Sequence, residues 1–196
     1  MRPQTAFSVI VTFAALAFTC APSTANAATR RVPSWDGRAV LRAHGGVSFP
    51  IGNFGSAYQT GFGIGGSIGY GVSEHVLISG GAAYHKFDHE VINGNEASIT
   101  PVTIGVDYKI PSKSTIAPWF GGGLGVYHVA LIQQLPSGVT QSESENNFGI
   151  NFGVGVGAPI GDKLLLGTGL KFHYVAGDNF IDTPFTTFQI GIAAVL

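Results

Sequence analysis

The sequence has little charge for its length. Charged residues make up 11% of the 196 residues, against about 25% in soluble globular proteins, whereas 45% are hydrophobic. This is too little charge to coat a water-soluble sphere. The ten Lys and Arg side chains are balanced by eleven Asp and Glu, so the chain lacks the basic excess that binds nucleic-acid phosphates. We therefore expect no nucleic acid as a partner.

Long apolar runs are absent from the interior of the chain, which has no stretch near the roughly 20 apolar residues of a membrane-spanning helix. Its one cysteine, Cys20, excludes a disulfide-stapled domain. Glycine is abundant instead, at 29 residues, and the hydrophobic content excludes a disordered or collagen-like chain. These features indicate a glycine-rich, mainly β protein of about one domain in surroundings other than plain water.

The N-terminus has the pattern of an export signal. Arg2 precedes an apolar run from Ala6 to Ala21, and Ala25 and Ala27 form an A-x-A cleavage site. We predict a signal peptide over residues 1–27, a short segment over 28–37 and one β-barrel domain over 38–196. An anchor helix is disfavoured because the run is short, and lipidation of Cys20 is disfavoured by the bulky residues before it.

From residue 38 onward, apolar residues alternate with small or polar ones, which is typical of strands with two different faces. In the second strand, for example, Phe62, Ile64, Ile68 and Tyr70 alternate with glycine and serine. Eight strands are predicted, over residues 38–49, 61–72, 75–87, 99–110, 116–130, 148–158, 164–175 and 185–196. Residues 131–147 are predicted to be the longest loop.

Eight strands of about ten residues, joined by alternately long and short connections, predict an all-β fold, an eight-stranded antiparallel up-and-down transmembrane β-barrel. The apolar face would meet lipid, because the glycine-rich face is a poor coat in water and suits the narrow interior of a small barrel. Closure also pairs every backbone polar group, as lipid requires. Tyr70, Tyr108, Phe120 and Tyr174 are predicted near strand ends as an interfacial girdle, and Lys86 at the rim.

Several motifs resemble a known family. These are the stretches from Gly45 to Phe54, from Pro101 to Tyr108 and from Pro118 to Tyr127. They are similar to strands of the small outer-membrane β-barrel proteins of Gram-negative bacteria, such as the OmpA and OmpX barrels. The final strand, with Gln189, Gly191, Ala194 and Leu196, resembles the terminal signal read by the barrel-assembly machinery, although Phe is usual where this chain has Leu196.

The resemblance implies a protein of the cell outer membrane with both chain ends in the periplasm and its long loops outside. Acidic residues are predicted to form an extracellular rim, composed of Asp88, Glu90, Glu96, Glu143, Glu145, Asp178 and Asp182. This rim is a candidate site for divalent cations or basic partners, and simple solvation of loop tips is the alternative. Lipopolysaccharide is the expected neighbour.

The inward face is predicted to carry a polar network, composed of Arg42, His44, His85, Asp107, Lys109, Lys171, His173 and Gln189. Two interpretations stay open: a salt-bridged plug that closes the lumen, or a narrow anion-preferring water path. An unpaired buried charge is costly, so we expect Asp107 to lie near one of the three cations.

No catalytic, metal or cofactor site is predicted. His85, Asp88, His89 and Glu90 are close in sequence but lack a metal-binding spacing. His128 is the residue to test if the chain is a lipid A-modifying enzyme, yet no matching Ser and carboxylate spacing accompanies it. The sequence thus predicts a non-catalytic outer-membrane barrel with a structural or interaction role. A narrow channel for ions or small apolar solutes is the alternative, and the enzyme comes third.

Overall fold

The strands close into a single barrel. The computed structural model describes residues 31–90, 95–134, 140–177 and 182–196; the predicted signal peptide lies outside this range. The elements are β1 (Ala39–Pro50), α1 (Gly52–Ala57), β2 (Gly61–Gly71), β3 (Val76–Asp88), β4 (Glu96–Lys109), β5 (Ala117–Gln134), β6 (Thr140–Pro159), β7 (Leu164–Val175) and β8 (Phe185–Val195). Each strand pairs antiparallel with the next, and β1 also pairs with β8. The predicted eight-stranded up-and-down barrel is confirmed.

The two ends of the barrel differ in their connections. We call the end with the connections after β2, β4 and β6 the base, and the end with α1 and the connections after β3, β5 and β7 the mouth. The N-terminal segment enters at the base, where Asp36 bridges to Gly71 and the amide of Gly37 donates to the Gly71 carbonyl. No helix within the described ranges is long and apolar enough to span a membrane.

The side chains divide between the faces as the sequence period predicts. The outward face is exposed and apolar on every strand, with Phe62, Ile104, Phe148 and Ile190 all more than half exposed. Inward positions are buried or occupied by glycine, because neighbouring strands crowd the axis of a small barrel. A chain folded this way exposes its largest apolar surface to its surroundings, which suits lipid and not water.

One predicted loop is wrong. Residues 131–147 were expected to form the longest loop, but β5 continues to Gln134 and β6 begins at Thr140, so most of this segment is a paired hairpin. The hairpin extends beyond the barrel wall, since β7 pairs with β6 only as far as Gly149. Because both of its faces lie outside lipid, the segment TQSESENN needs no apolar alternation, and the period that marks the other strands is missing.

Candidate functional site

The barrel interior gathers the polar residues of the chain. All eight side chains predicted to face the lumen line one cavity of about 170 Å³, although they come from β1, β3, β4, β7 and β8. They are Arg42, His44, His85, Asp107, Lys109, Lys171, His173 and Gln189. We call these residues, with the serine and threonine side chains that bond to them, the polar layer.

Arg42 is the centre of the polar layer. Its Nη1 lies 2.6 Å from Oδ2 of Asp107, which joins β1 to β4 across the lumen. The same guanidinium donates to Ser67 Oγ at 3.0 Å and to Ser79 Oγ at 2.8 Å. Asp107 therefore lies beside one of the three cations, as its burial requires, and that cation is bonded to three different strands.

The histidines form two hydrogen-bonded groups toward the mouth. His85 Nδ1 lies 2.9 Å from Ser48 Oγ, which in turn contacts Thr187 Oγ1 at 3.2 Å. His173 Nδ1 lies 3.0 Å from the Tyr127 hydroxyl. The two imidazoles are in edge contact, with centroids 5.5 Å apart. These bonds fix the ring orientations within a buried layer.

Glycines on β2 provide the space for two imidazoles. A Cβ at Gly65 would lie 2.9 Å from His44 Nε2, and a Cβ at Gly63 would overlap the ring of His85. Alanine at either position would push an imidazole out of its place. The glycine-rich inner face therefore positions the histidines as well as narrowing the lumen.

The three predicted lumen cations have different environments. Lys109 lies at the base, where its Nζ donates to the Pro33 carbonyl at 3.0 Å and lies 4.9 Å from the Trp35 ring centroid. It thereby holds the N-terminal segment in the barrel. Lys171, in contrast, has no hydrogen bond or ion pair within the part of the chain that the structure describes, although it interacts electrostatically with Asp107 and Arg42.

Apolar clusters lie on both sides of the polar layer. The mouth cluster consists of Phe54, Phe87, Ala97, Ile99, Tyr127, Val129, Val175 and Phe185, all buried. The base cluster consists of Trp35, Val40, Leu77, Leu165 and Val195, with Val32 and Ala193 packed against it. Phe54 reaches the mouth cluster from α1 and packs edge-on to Phe87 at 5.1 Å. Trp35 reaches the base cluster from the segment before β1.

The acidic residues of the predicted rim do not all lie in loops. Asp88 and Glu96 are paired end residues of β3 and β4, and Glu143 and Glu145 lie on β6 opposite Leu131 and Val129. The loop assignment of these four is wrong, because strand pairing continues into the polar mouth. Asp178 lies outside the described residues.

Several rim residues have contacts that the sequence did not indicate, among them Glu143, which accepts from Gln141 Nε2 at 2.9 Å, and Glu145, which accepts from Asn147 Nδ2. Glu96 forms an ion pair with Lys86, with 2.8 Å between Oε2 and Nζ. The backbone amide of Glu90 donates to the carbonyl of Ala57. Asp182 accepts from the Tyr174 hydroxyl at 2.8 Å and from the amide of Gly177. The hydrogen bond from Tyr174, and to a lesser extent the one from Gly177, lower the pKa of the Asp182 carboxyl.

The β3–β4 ladder has an interruption at Pro101. Ala82 pairs with Val102 and His85 with Ile99, but the two residues between them on each strand form no ladder pairs. Proline has no N–H to donate. Pro101 also lines the interior cavity, so the interrupted part of the ladder, which we call the seam, lies beside the polar layer.

The histidine and carboxylate cluster at 85–90 does not form a site. His85 points into the barrel, whereas Asp88 is exposed and His89 bridges to Tyr58 in the first outer loop. Within the described ranges, no group of three or more potential metal ligands is present. His128 lies on the hairpin with its Nδ1 2.9 Å from Asn146 Oδ1.

Some important interior residues were missed by sequence reasoning. Ser48, Tyr127 and Thr187 share the inward parity of their strands, so the period of two marks their positions but not their hydrogen bonds. Phe54 and Trp35 lie outside the strands, and no periodicity marks them. Phe54 is buried because of the path of the connection between β1 and β2, and Trp35 because of the path of the N-terminal segment.

Comparisons with known proteins agree with this geometry. A family model described as outer membrane protein beta-barrel domain matches residues 11–194. The crystal structure of Neisserial surface protein A is similar, with 16% identity, 81% of this chain and 97% of that chain covered, and a TM-score of 0.64. No curated protein matches the sequence significantly.

Two further crystal structures are similar over nearly their whole length. The attachment invasion locus protein Ail of Yersinia pestis has 16% identity and a TM-score of 0.58, with 82% of this chain and 99% of that chain covered. The N-terminal β-barrel domain of Pseudomonas aeruginosa OprF has 15% identity and a TM-score of 0.53, with 82% and 98% covered. At such identities the likeness shows the fold.

Proposed function

Because this chain belongs to the outer membrane protein beta-barrel domain family, we propose that it is an outer-membrane protein with a structural and interaction role, whose lumen is closed to solutes. Its outer wall anchors it in lipid, and its mouth presents the β5–β6 hairpin, α1 and the acidic rim. Its N-terminal signal peptide is cleaved on export, and β8 carries the signal for the barrel-assembly machinery.

The observation that carries this proposal is the position of the polar layer between two apolar clusters. A cavity of about 170 Å³ has room for on the order of ten water molecules. Above it, the aromatic rings of Phe54, Phe87 and Phe185 fill the mouth. Below it, Trp35 is held by Lys109. Hydrophobic constrictions of this kind oppose a continuous water path.

Single-channel conductance in a planar bilayer tests the closed lumen. We expect the inserted mature protein to be silent, and a variant with Trp35→Ala and Phe54→Ala to conduct, because both apolar constrictions are then reduced. A variant with Ile190→Ala, on the lipid-facing wall, is the matched control and should stay silent. Discrete anion-favouring steps from the unchanged protein would contradict the proposal and make Arg42 and Lys171 selectivity residues.

We also propose contacts for the outer surface. Asp88 and Glu96 lie side by side at the mouth end of β3 and β4. Divalent cations that accompany lipopolysaccharide, or basic partners, match this charge. Solvation of exposed carboxylates remains the simpler alternative.

A second candidate is the passage of small apolar solutes, and the seam at Pro101 favours it. A gap in the ladder offers a lateral route between the lumen and the membrane, since elsewhere the wall is closed by backbone hydrogen bonds. Intact cells that express the protein would then take up N-phenyl-naphthylamine faster. Pro101→Thr, which restores an N–H, would remove the gain, whereas Pro118→Thr would keep it. Uptake equal to that of cells without the protein excludes this candidate.

A catalytic role has less support than either of these. The Ser48 and His85 pair resembles part of a hydrolase site, but both side chains are buried within the barrel, and the Ser48 hydroxyl is also bonded to Thr187. His128, the residue to test in a lipid A-modifying enzyme, contacts an amide side chain instead of a carboxylate. We therefore propose that the protein is not an enzyme.

A further inference from the structure

The polar layer has more positive than negative charge. Asp107 is the one carboxylate among the described residues that line the cavity, and it faces Arg42, Lys109 and Lys171. Arg42 neutralises Asp107 through their ion pair, and Lys109 is bonded to the N-terminal segment at the base. Even with neutral histidines, Lys171 has no ion-pair partner of its own among the described residues, because the carboxylate of Asp107 that attracts it is already paired with Arg42.

The surroundings of Lys171 leave space for an additional ligand. Its strand neighbours at the same level are Gly153 on β6 and Thr187 on β8, and the Thr187 hydroxyl is already bonded to Ser48. An ammonium held out of bulk water is unfavourable unless it is paired. The described residues of the lining include no second carboxylate that could pair with it.

Other polar groups on the same cavity have no described hydrogen-bond partner. His85 is 3% exposed and lines the cavity, yet its Nε2 has no hydrogen-bond partner. Gln189 contributes a side-chain amide to the same lining, and His44 contributes an imidazole. Lys171 interacts electrostatically with both histidines. An ammonium that shares a cavity lining with imidazole and amide groups able to donate N–H bonds offers a site for an anion.

We propose that the polar layer binds one small monovalent inorganic anion, chloride in the cell envelope, between the Lys171 ammonium and the N–H donors of His85 and Gln189. The ion must be small because the cavity lies between two apolar clusters. It must be monovalent because the cavity offers one positive charge that no carboxylate neutralises. The anion acts as the missing counter-ion of Lys171 and stabilises the folded barrel. This inference holds whether or not the lumen conducts.

Halide-dependent stability tests the proposal. The full mature chain is refolded in detergent micelles and unfolded by urea, while chloride replaces gluconate at constant sodium concentration. One site in the folded state predicts that, above its dissociation constant, each tenfold rise in chloride lowers the unfolding equilibrium constant about tenfold. No chloride dependence in the unchanged protein would overturn the proposal.

Two lysine variants make the test specific. Lys171→Met should lose the chloride dependence, because the charge that holds the anion is gone. Lys86→Met is the matched control, since Lys86 lies on the outer face in an ion pair with Glu96, and it should keep the dependence. Equal dependence in both variants would assign the effect to general salt action and overturn the site.

Bromide diffraction gives a second readout that does not depend on the folding of any variant. Crystals of the unchanged protein grown in sodium bromide should show an anomalous peak inside the barrel, within contact distance of the Lys171 ammonium. A peak only at the outer surface, which would mark an adventitious ion only, or no peak at all, would overturn the proposal.

Discussion

Replacing Asp107 by alanine should destabilise the folded barrel by about 3–5 kcal/mol, the usual cost of removing one partner of a buried ion pair. The Asp107 and Arg42 side chains are 12% and 26% exposed, and their charged atoms are 2.6 Å apart. Without the carboxylate, the Arg42 guanidinium keeps its two serine partners but loses its neutralising charge. The free energy of unfolding in urea, measured in lipid vesicles, checks this.

The outer ion pair offers a matched control for Asp107. Lys86 and Glu96 are similarly close, at 2.8 Å, but their side chains are 31% and 37% exposed. Because water and salt screen such a pair, Glu96→Ala should destabilise the barrel much less than Asp107→Ala. Equal losses for Asp107→Ala and Glu96→Ala would show that the polar layer is hydrated like a surface.

A double variant separates the ion pair from the packing around it. Arg42→Met combined with Asp107→Leu removes both charges and keeps much of the side-chain volume. We expect it to be closer to the unchanged protein in stability than Asp107→Ala alone, because no buried charge is left unpaired. A loss equal to the sum of the two single variants would contradict this expectation, since it would mean that the two charges do not interact.

The second large effect is expected from Gly46→Ala. A methyl group at Gly46 would overlap the carbonyl oxygen of Phe188 and lie 2.8 Å from Cα of Gln189. Both obstacles are backbone atoms of the neighbouring strand, so no side-chain rotation relieves them. Overpacking costs roughly 1–3 kcal/mol when side chains can adjust, and we expect about 3 kcal/mol or a failure to close the barrel here.

Gly157→Ala is the matched control for Gly46→Ala. Gly157 also lies on the inner face of a strand, but the nearest atom to an added methyl group is the Leu166 carbonyl oxygen at 3.8 Å. We expect a change of less than about 1 kcal/mol, because an ordinary van der Waals contact displaces nothing. Urea unfolding and the gel mobility of unboiled samples measure both variants. Similar behaviour of the two would disprove close packing of β1 on β8.

The inward position of the lumen residues follows from the period of two in a strand. Once Leu41 is assigned to lipid, Arg42 must point inward, and the same reasoning holds for Asp107 and Lys171 on other strands. Their partners did not follow from the period. Arg42 and Asp107 lie on strands that are not neighbours, and the choice among three cations depends on the shear of the closed barrel. Lys109 has the same parity, yet it bonds the N-terminal segment.

The hairpin above the barrel was missed for a related reason. Apolar and polar residues alternate along a strand where its two faces meet different environments. In this barrel the outer face meets lipid and the inner face meets the packed lumen. Above the membrane both faces of β6 from Gln141 to Ser144 are exposed, so a residue such as Glu143 is permitted on a strand, whereas Val129 on β5 still packs in the mouth cluster. The pairing there continues from the barrel below and is not specified by local residue preferences.

The sequence by itself determined the fold class and the two faces of each strand, because a period of two is a local property of an extended chain. The tertiary structure decided what closes the interior. Phe54 and Trp35 enter the lumen from segments outside the strands, and Asp107 takes Arg42 as its partner. These contacts join residues far apart in the chain, so they exist only once the barrel has closed.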